Sequence, residues 1–337
     1  MIQDALRALM AGKDLSTEQA AAAANEIMSG EATPAQIAGF LVALRLKGET
    51  SDEITGMAQV MREKALRVHT DGHLVDVVGT GGDGVGTFNI STGAALVAAA
   101  CGAKIAKHGN RAASGAYGTA DVLEANGVKL ELRPESVARC IQEVGMGFMF
   151  APAFHPAMRF AGPVRRELGV RTVFNILGPL TNPAGADHQL LGVGFEGQAE
   201  PMANVLAKLG THRSWVVRGD DGQDELSITA TTQVWEVAHG KVRHFTVSPE
   251  DAGLGRASLA DIKAPDAETA KGMLVRALGK EPCAPRDAVL LNAAGALVVA
   301  NKVADLRAGV SMAKEAIDTG EPLALLRRLA ALSQSLD

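Results

Sequence analysis

The stretch "DVVGTGGDGVGTFNISTG", residues 76–93, decides how this chain is read. The apolar run from Leu74 to Val78 has the length and content of a strand. Five glycines then fall between Gly79 and Gly86, with Asp83 among them, and "NIST" opens a helical segment over 91–100. Glycines at such a junction allow positive φ and let a ligand approach main-chain N–H groups with no Cβ in the way. The first turn of a helix offers unpaired N–H groups and the positive end of its dipole. Strand, glycine loop and helix start therefore predict an anion site, phosphate above all, with Thr87, Asn89, Ser91 and Thr92 at its mouth. A tight turn alone would not need so much bare backbone. Asp83 would repel a diphosphate, so it is expected to face a ribose hydroxyl, a bridging cation or the N–H groups of its own loop. A phosphorylated sugar meets that condition, and simple phosphate binding does not.

Two familiar nucleotide loops fit less well. No lysine follows the glycines, as a P-loop requires. Gly79, Gly81 and Gly84 satisfy GxGxxG, but the next strand runs into "AKIAKHGNR". A dinucleotide fold expects an acid about 20 residues on, where this chain is basic.

Working outward, the run Ala103–Ala106 reads as the next strand, and "KHGNRAASGAYGTADVLEANG" as the loop after it. Lys107 and Arg111 can neutralise phosphate, Gly109 permits close backbone approach, and Asn110 offers both a donor and an acceptor. His108 taken alone reads as a packing residue. In a parallel sheet, loops after adjacent strands gather on one edge, where ligands bind. A third group, "RGDDGQDELS", follows a strand at 214–218 and carries Asp220, Asp221, Asp224 and Glu225. In isolation it is a solvated turn. Beside a diphosphate it suits magnesium, with the pair Asp224 and Glu225, joined by the Ser91 hydroxyl, as ligands. The segment "HPAMRFAGPVRRELGVRTVFNILGPLTNPAG" contributes Arg159, Arg165 and Arg166, one of which could grip a carboxylate. Sequence does not choose among them.

Elsewhere the chain divides in two. Ser16 with Gln19, Thr33 with Gln36, and Thr50 with Glu53 are helix-start signals, and Gly30 and Gly48 are stops. Residues 1–70 read as a small all-helical domain, to which 155–185 is expected to return. Residues 71–337 read as a larger α/β domain whose central mixed, mostly parallel sheet is flanked by helices. Further strands are expected at Val128–Leu132 and Gly147–Phe150. "SWVVRGD", "ELSIT" and "QVWEVAHGKVRHFTV" read as strands that are partly antiparallel, with His239 and Gly240 at a hairpin tip, and helices resume from Asp266.

The 337 residues are 47% hydrophobic and 4% aromatic, with a net charge of -5 and no basic stripe, so nucleic acid is not an expected partner. The start, "MIQDALRALMAGKD", does not resemble a signal peptide, and "GAALVAAACGAKIA" is too short to span a bilayer. No membrane is expected. Cys101, Cys140 and Cys283 are few and scattered, which suits reduced, inert thiols in the cytoplasm.

"GTGGDGVGTFNIST", "KHGNRAAS", "ADVLEANG", "HPAMR", "PVRRELGVRTVFNILGPLTNPA" and "DGQDELS" follow one another in an order and spacing that resemble the anthranilate phosphoribosyltransferase family of tryptophan biosynthesis, over nearly the whole chain. The resemblance implies a homodimer joined through the helical part, with the active site in the cleft between the domains. It implies transfer of phosphoribose from 5-phosphoribosyl 1-pyrophosphate to anthranilate, with magnesium, two ions per active site. Carried over by position, the donor would meet Gly79, Gly82, Asp83, Thr87, Asn89, Ile90, Ser91 and Thr92. It would also meet Lys107, His108, Gly109, Asn110, Arg111, Ala112, Ala113, Ser114, Gly115 and Thr119. Anthranilate would meet Gly79, Asn110 and Arg165, with His108 as a positioning residue and no residue as an essential general base. Ser91, Asp224 and Glu225 would hold the metal. Where the family reads Ser-Ser, this chain has Ser114 and Gly115, so only the backbone contact is expected at Gly115; Thr119 keeps the hydroxyl of the family's serine, and Asn126 stands where the family has leucine. Two rivals remain: a pyrimidine nucleoside phosphorylase, whose Lys-x-Ser-Thr-Gly-Gly style loop is not found here, and a non-catalytic nucleic-acid-binding relative of the same fold, which the acidic balance disfavours.

Overall fold

The computed structural model describes residues 1–111 and 117–336. Four helices open the chain: α1 (Ile2–Met10), α2 (Thr17–Ser29), α3 (Pro34–Lys47) and α4 (Ser51–Lys64). Three of them start in reciprocal capping boxes, Ser16 with Gln19, Thr33 with Gln36, and Thr50 with Glu53. In each, a side-chain oxygen takes one orphan N–H while the partner reaches back to another, so these starts are set locally. Glu53 is fully buried and also accepts the Leu15 N–H at 2.9 Å, which ties the start of α4 to the α1–α2 turn.

The second unit is a seven-stranded sheet. Its elements run β1 (Val75–Gly79), α5 (Ile90–Ala100), β2 (Ile105–Gly109), α6 (Thr119–Ala125), α7 (Pro134–Val144) and β3 (Met146–Phe150). Next come α8 (Ala151–Phe154), α9 (Met158–Leu168), α10 (Phe174–Leu177), β4 (His188–Gly192), α11 (Ala199–Lys208), β5 (Arg213–Gly219), β6 (Thr232–Ala238) and β7 (Lys241–Val247). The chain closes with α12 (Ala267–Ala277), α13 (Ala284–Val299), α14 (Leu306–Thr319) and α15 (Glu321–Ser335). The strand order is β3-β2-β1-β4-β5-β6-β7; the first five are parallel, and β6 and β7 add antiparallel. His239, at φ 51°, and Gly240, at φ 70°, form the expected hairpin tip between the last two. Strand β7 is an edge whose Lys241, Arg243 and His244 are exposed, whereas β3 at the other edge is buried throughout.

Period-two alternation sends neighbouring strand residues into two separate cores. Val77, Leu190 and Val217 join α5, α13 and the C-terminal helices on one face. Leu191, Val193 and Val216 join α11 and the N-terminal helices on the other. Ala161, Val164, Phe174 and Leu177, from α9 and α10, share that second core, so the chain between β3 and β4 packs on the N-terminal helices.

Several sequence expectations need correction. Val128–Leu132 is not a strand: the Lys129 N–H goes to Ser333 Oγ at 2.9 Å, and Val128, Leu130 and Leu132 are buried without joining the sheet. "ELSIT" is a loop, because the Ser227 and Thr229 hydroxyls turn onto the Asp221 carboxylate and give the backbone an alternative to a ladder. The strand expected at Ala103–Ala106 runs from Ile105 to Gly109. Strand β4, at the centre of the sheet, escaped the sequence reading: it is five residues long and begins with His188 and Gln189. The three cysteines are unpaired, and burial pushes the Cys101 and Cys140 thiols up to about 11. Among the described residues, no helix is long and apolar enough to cross a membrane.

Helices α2 and α4 meet at Gly56, where an added Cβ would run into the Thr17 carbonyl and lie 2.9 Å from the Ala21 nitrogen. Alanine is the better helix former by about 1 kcal/mol, so propensity alone favours Gly56→Ala. Backbone on the far side cannot yield as a side chain can, and overpacking should win. Gly56→Ala is expected to lose about 1–3 kcal/mol in urea unfolding; a gain would show that α2 and α4 can move apart freely.

Candidate active site

Strand β1 leads to β2 and β3 on one side of the sheet, while β4 and β5 lie on the other. The change of direction opens a crevice past the carboxyl ends of β1 and β4, where α/β sheets bind ligands. Those ends are Gly79 and Gly192, paired in register. A Cβ on Gly79 would strike the Asp224 carboxylate, and one on Gly192 would strike the Asp224 backbone. The acidic loop after β5 can therefore lie over the sheet only because both strands end in glycine.

Gly81, Gly82, Gly84 and Gly86 all have φ between 66° and 76°, the left-handed region that glycine admits freely. The loop they form closes on the acids. Gly81 N–H donates to Asp224 Oδ2 at 2.7 Å, and Ser91 N–H, at the start of α5, donates to Glu225 Oε1 at 3.2 Å. Asp83 turns inward, accepting the Val85 N–H at 3.1 Å, which is the own-loop option among its expected partners. The other limb is tied down by Phe88 N–H to the Ile262 carbonyl at 3.0 Å, beside a bridge between Thr87 and Lys263. Asn292 of α13 brackets Leu226, accepting its N–H and donating to its carbonyl, each at 2.9 Å, and so sets Glu225 in place. Asp221 is consumed by Gln223, Ser227 and Thr229, and Asp220 takes Gln233 Nε2 at 2.9 Å. Of the four acids, only Asp224 and Glu225 face the glycine loop.

Lys107 lies beneath this loop, 1% exposed, donating to the Val77 carbonyl and to Ser91 Oγ at 3.3 Å. Burial pulls its ammonium down from the usual lysine range, and Asp76, Glu225 and Asp224 pull it back. Burial likewise pushes Asp224 up to about 6, helped by Asp83, and pushes Glu225 well above the carboxylate range, helped by Asp224. Three carboxyls thus face one ammonium, with two backbone N–H groups to help. The donor set is all hard oxygen, with the Ser91 hydroxyl alongside, and the missing positive charge is what magnesium would bring.

Lys107, His108 and Gly109 belong to β2 itself rather than to the loop after it. Alternation turns His108 to the opposite face from Lys107, where its ring bonds the backbone of Gly178 and its Nε2 has no partner among the described residues. His155, 5.1 Å away between ring centroids, also has an unpartnered Nε2 and bonds the backbone of Thr181. Burial lowers His108 to about 3 and His155 to about 4, so both rings are neutral at pH 7. Asn110 is exposed and its Oδ1 accepts the Arg111 N–H at 2.7 Å. Arg111 pairs with Asp121 at 2.7 Å and Glu124 at 2.8 Å, which neutralise the charge expected for phosphate. Ala112, Ala113, Ser114 and Gly115 lie outside the described residues. Thr119 opens α6 with its hydroxyl 3.5 Å from that of Thr92, and Asn89 Oδ1 is buried without a partner just before α5, whose first residue, Ile90, is buried.

Among the three arginines left open by the sequence, Arg159 and Arg166 are exposed. Arg165 is half-buried over the Phe174 ring at 5.2 Å, has no ion pair among the described residues, and desolvation lowers its pKa. Sequence reasoning missed Asp76, Asn182, Asn292 and His155. Asp76, fully buried and raised by burial to about 6, accepts Asn182 Nδ2 at 2.7 Å and the His108 N–H at 3.2 Å. A charged residue inside the apolar run 74–78 was the one available signal; Asn182, Asn292 and His155 gave none.

Residues 3–65 match the helical bundle domain of a glycosyl transferase family, and 71–323 match its a/b domain. The chain is 54% identical over 335 residues to the anthranilate phosphoribosyltransferase of Chloroflexus aggregans, covering 99% of this chain and 98% of the relative. It superposes on the crystal structure of the Thermus thermophilus enzyme of that name with a TM-score of 0.92 at 48% identity, covering 98% and 99% of the two chains. The Saccharomyces cerevisiae enzyme in complex with PRPP and Mg gives 0.91 at 27% identity, covering 99% and 98%.

The neutral histidines make a pH prediction. Each ring takes a proton below about 3 or 4 in the folded chain, against 6.5 when unperturbed. Between those values the unfolded chain binds more protons, so stability falls as pH drops below 6.5, by about 2 kcal/mol per ring at pH 5. Replacing both by glutamine should flatten the change in urea midpoint between pH 7 and pH 5. An unaltered change would mean that other groups govern acid sensitivity.

Proposed function

This chain belongs to the anthranilate phosphoribosyltransferases, transferases of tryptophan biosynthesis built from the glycosyl transferase family's helical bundle and a/b domain, and from that premise we propose how its own residues carry the reaction. The observation that supports the reading best is the closure of two distant segments into one site, Gly81 N–H on Asp224 and Ser91 N–H on Glu225.

The donor, 5-phosphoribosyl 1-pyrophosphate, lies along Gly79, Gly82, Asp83, Thr87 and the turn from Asn89 to Thr92. It continues past Lys107, His108, Gly109, Asn110 and Arg111 to the segment from Ala112 to Gly115 and to Thr119. The α5 N-terminus and the loop amides face its phosphates, and Asp83 exchanges the Val85 N–H for a ribose hydroxyl or a cation. Ser91, Asp224 and Glu225 would hold magnesium; one ion would offset the charge excess left by Asp83, Asp224 and Glu225 over Lys107, and a second would accompany the donor's diphosphate. Bound magnesium supplies positive charge to the departing pyrophosphate. Lys107 donates to the Ser91 hydroxyl oxygen, which orients it, and adds a fixed positive potential below it.

Anthranilate approaches along Gly79, Asn110 and Arg165. Arg165, which has no anionic partner among the described residues and is partly desolvated, takes the carboxylate, while His108 lines the path as a neutral ring. The amine attacks the anomeric carbon as the bond to pyrophosphate breaks. The aromatic ammonium so formed is acidic enough to release its proton unaided, so placement does most of the work and no general base is essential. Homodimer formation through the helical part fits the exposure of Met10 at 77% and Leu46 at 82%. Unpaired thiols fit a cytoplasmic enzyme.

Mixing the purified chain with anthranilate, the donor and magnesium should make anthranilate fluorescence disappear, and chelation should stop the loss. Asp224→Asn combined with Glu225→Gln should lower kcat/KM by about 1000-fold or more, against roughly 10–100-fold for His108→Ala or Asn110→Ala; equal or reversed losses would overturn these roles. Arg165→Ala should raise KM for anthranilate and leave KM for the donor unchanged, and a selective rise for the donor would move Arg165 to the phosphates.

A further inference from the structure

At the opposite edge of the sheet, where β1, β4 and β5 begin, a second set of polar groups converges far from the glycine loop. His73 lies two residues before β1, Asp187 and His188 stand at the start of β4, and His212 immediately precedes β5. These three strands are consecutive parallel neighbours, with Val75 beside His188 and His188 beside Arg213. The backbone locks the arrangement: His188 N–H reaches the Leu74 carbonyl at 3.1 Å, and His212 N–H reaches the Asp187 carbonyl at 2.9 Å. One ligand atom from each of the four side chains lies within 4.8 Å of all the others.

Packing does not account for this grouping. The rings of His73, His188 and His212 have centroids 5.2, 5.3 and 5.8 Å apart, and among the described residues only His73 has a carboxylate hydrogen-bond partner, Asp187 Oδ2 at 2.5 Å from its Nδ1. His188 is 2% exposed, and its Nδ1 is buried with no hydrogen-bond partner. Leaving such an atom unsatisfied is costly, and protonating it would set charges side by side in a desolvated place. The neighbouring cation, Arg213, is already committed to Glu236 at 2.9 Å and to Asn301 at 2.8 Å.

We propose that His73, Asp187, His188 and His212 form a binding site for a divalent transition-metal ion of the zinc class, which clamps the first residues of three adjacent strands. Three imidazoles and one carboxylate suit zinc and its borderline neighbours, and disfavour magnesium, which takes oxygen ligands. Four protein ligands leave no open position, so the ion is structural rather than catalytic. Bonds of about 2.0–2.1 Å put tetrahedral ligand atoms roughly 3.4 Å apart, so the widest pairs must draw in by about 1 Å while the hydrogen-bonded His73–Asp187 pair opens to admit the ion. His73 and His212 are exposed and free to swing inward, while His188 and Asp187 are fixed by β4. The metal replaces the proton between His73 and Asp187. Asp187 Oδ1 keeps the Leu74 N–H at 3.0 Å, which holds the carboxylate in orientation as outer-shell bonds do for metal ligands.

The test uses the full chain without an affinity tag, in excess magnesium so that the acids of the active site are occupied. Zinc is titrated in competition with a chromogenic chelator, cobalt(II) serves as the spectroscopic probe, and thermal unfolding is followed with and without zinc. One equivalent of zinc should bind, cobalt should give the intense visible bands of tetrahedral coordination, and zinc should raise the unfolding midpoint by several degrees. His73→Ala combined with His212→Ala, both at exposed positions, should weaken zinc at least tenfold and abolish the midpoint rise, with magnesium-dependent turnover unchanged. Failure of the wild-type chain to bind zinc would overturn the proposal. So would equal zinc affinity in the double variant, which would place the ion elsewhere.

Discussion

Two strands that end in glycine, and the carboxylate wedged against both, are the constraint from which the candidate active site follows. Asp224 could not approach the sheet if Gly79 or Gly192 carried a Cβ. With it in place, the acidic loop after β5 caps the crevice between β1 and β4 and offers Glu225 to the start of α5. A motif after the first strand and another after the fifth thus become one surface. The long stretch of chain between them serves the site by building the intervening strands and helices.

The same approach creates an electrostatic problem that the fold leaves partly unsolved. Asp76 is answered by Asn182 and by the His108 N–H, a closed set of partners in the sheet interior. Asp224 and Glu225 accept the Gly81 and Ser91 N–H groups and share Lys107 with Asp76, and their ionisation is opposed by burial. A structural ion pair would be balanced within the protein. The proposed magnesium and diphosphate would complete this charge only while they are bound.

Much of this was legible in the sequence because it rests on local chemistry. Capping boxes at Ser16, Thr33 and Thr50, the glycine run, and the pairing of strand with helix each depend on residues a few positions apart. The sequence also singled out Asp224 and Glu225 from four acids, although only geometry shows that Asp220 and Asp221 are used up inside their own loop. Errors arose where distant partners decide. The apolar run at 128–132 looks like a strand, yet Ser333, some two hundred residues away, takes its backbone N–H. Lys107 reads as a loop cation, but β2 continues three residues further, to Gly109, and buries it. Asn292 and His155 carry no pattern at all, since their meaning comes entirely from tertiary neighbours.

The sheet has two unlike borders. On one, β3 is sunk beneath α7 and α8. On the other, β7 presents Lys241, Arg243 and His244 to solvent along a strand whose outer hydrogen-bonding groups have no neighbouring strand. Polar and charged side chains on a bare border, Lys241 above all, disfavour a like strand from another molecule before backbone pairing can begin. Border-to-border pairing between copies of this chain is thereby disfavoured.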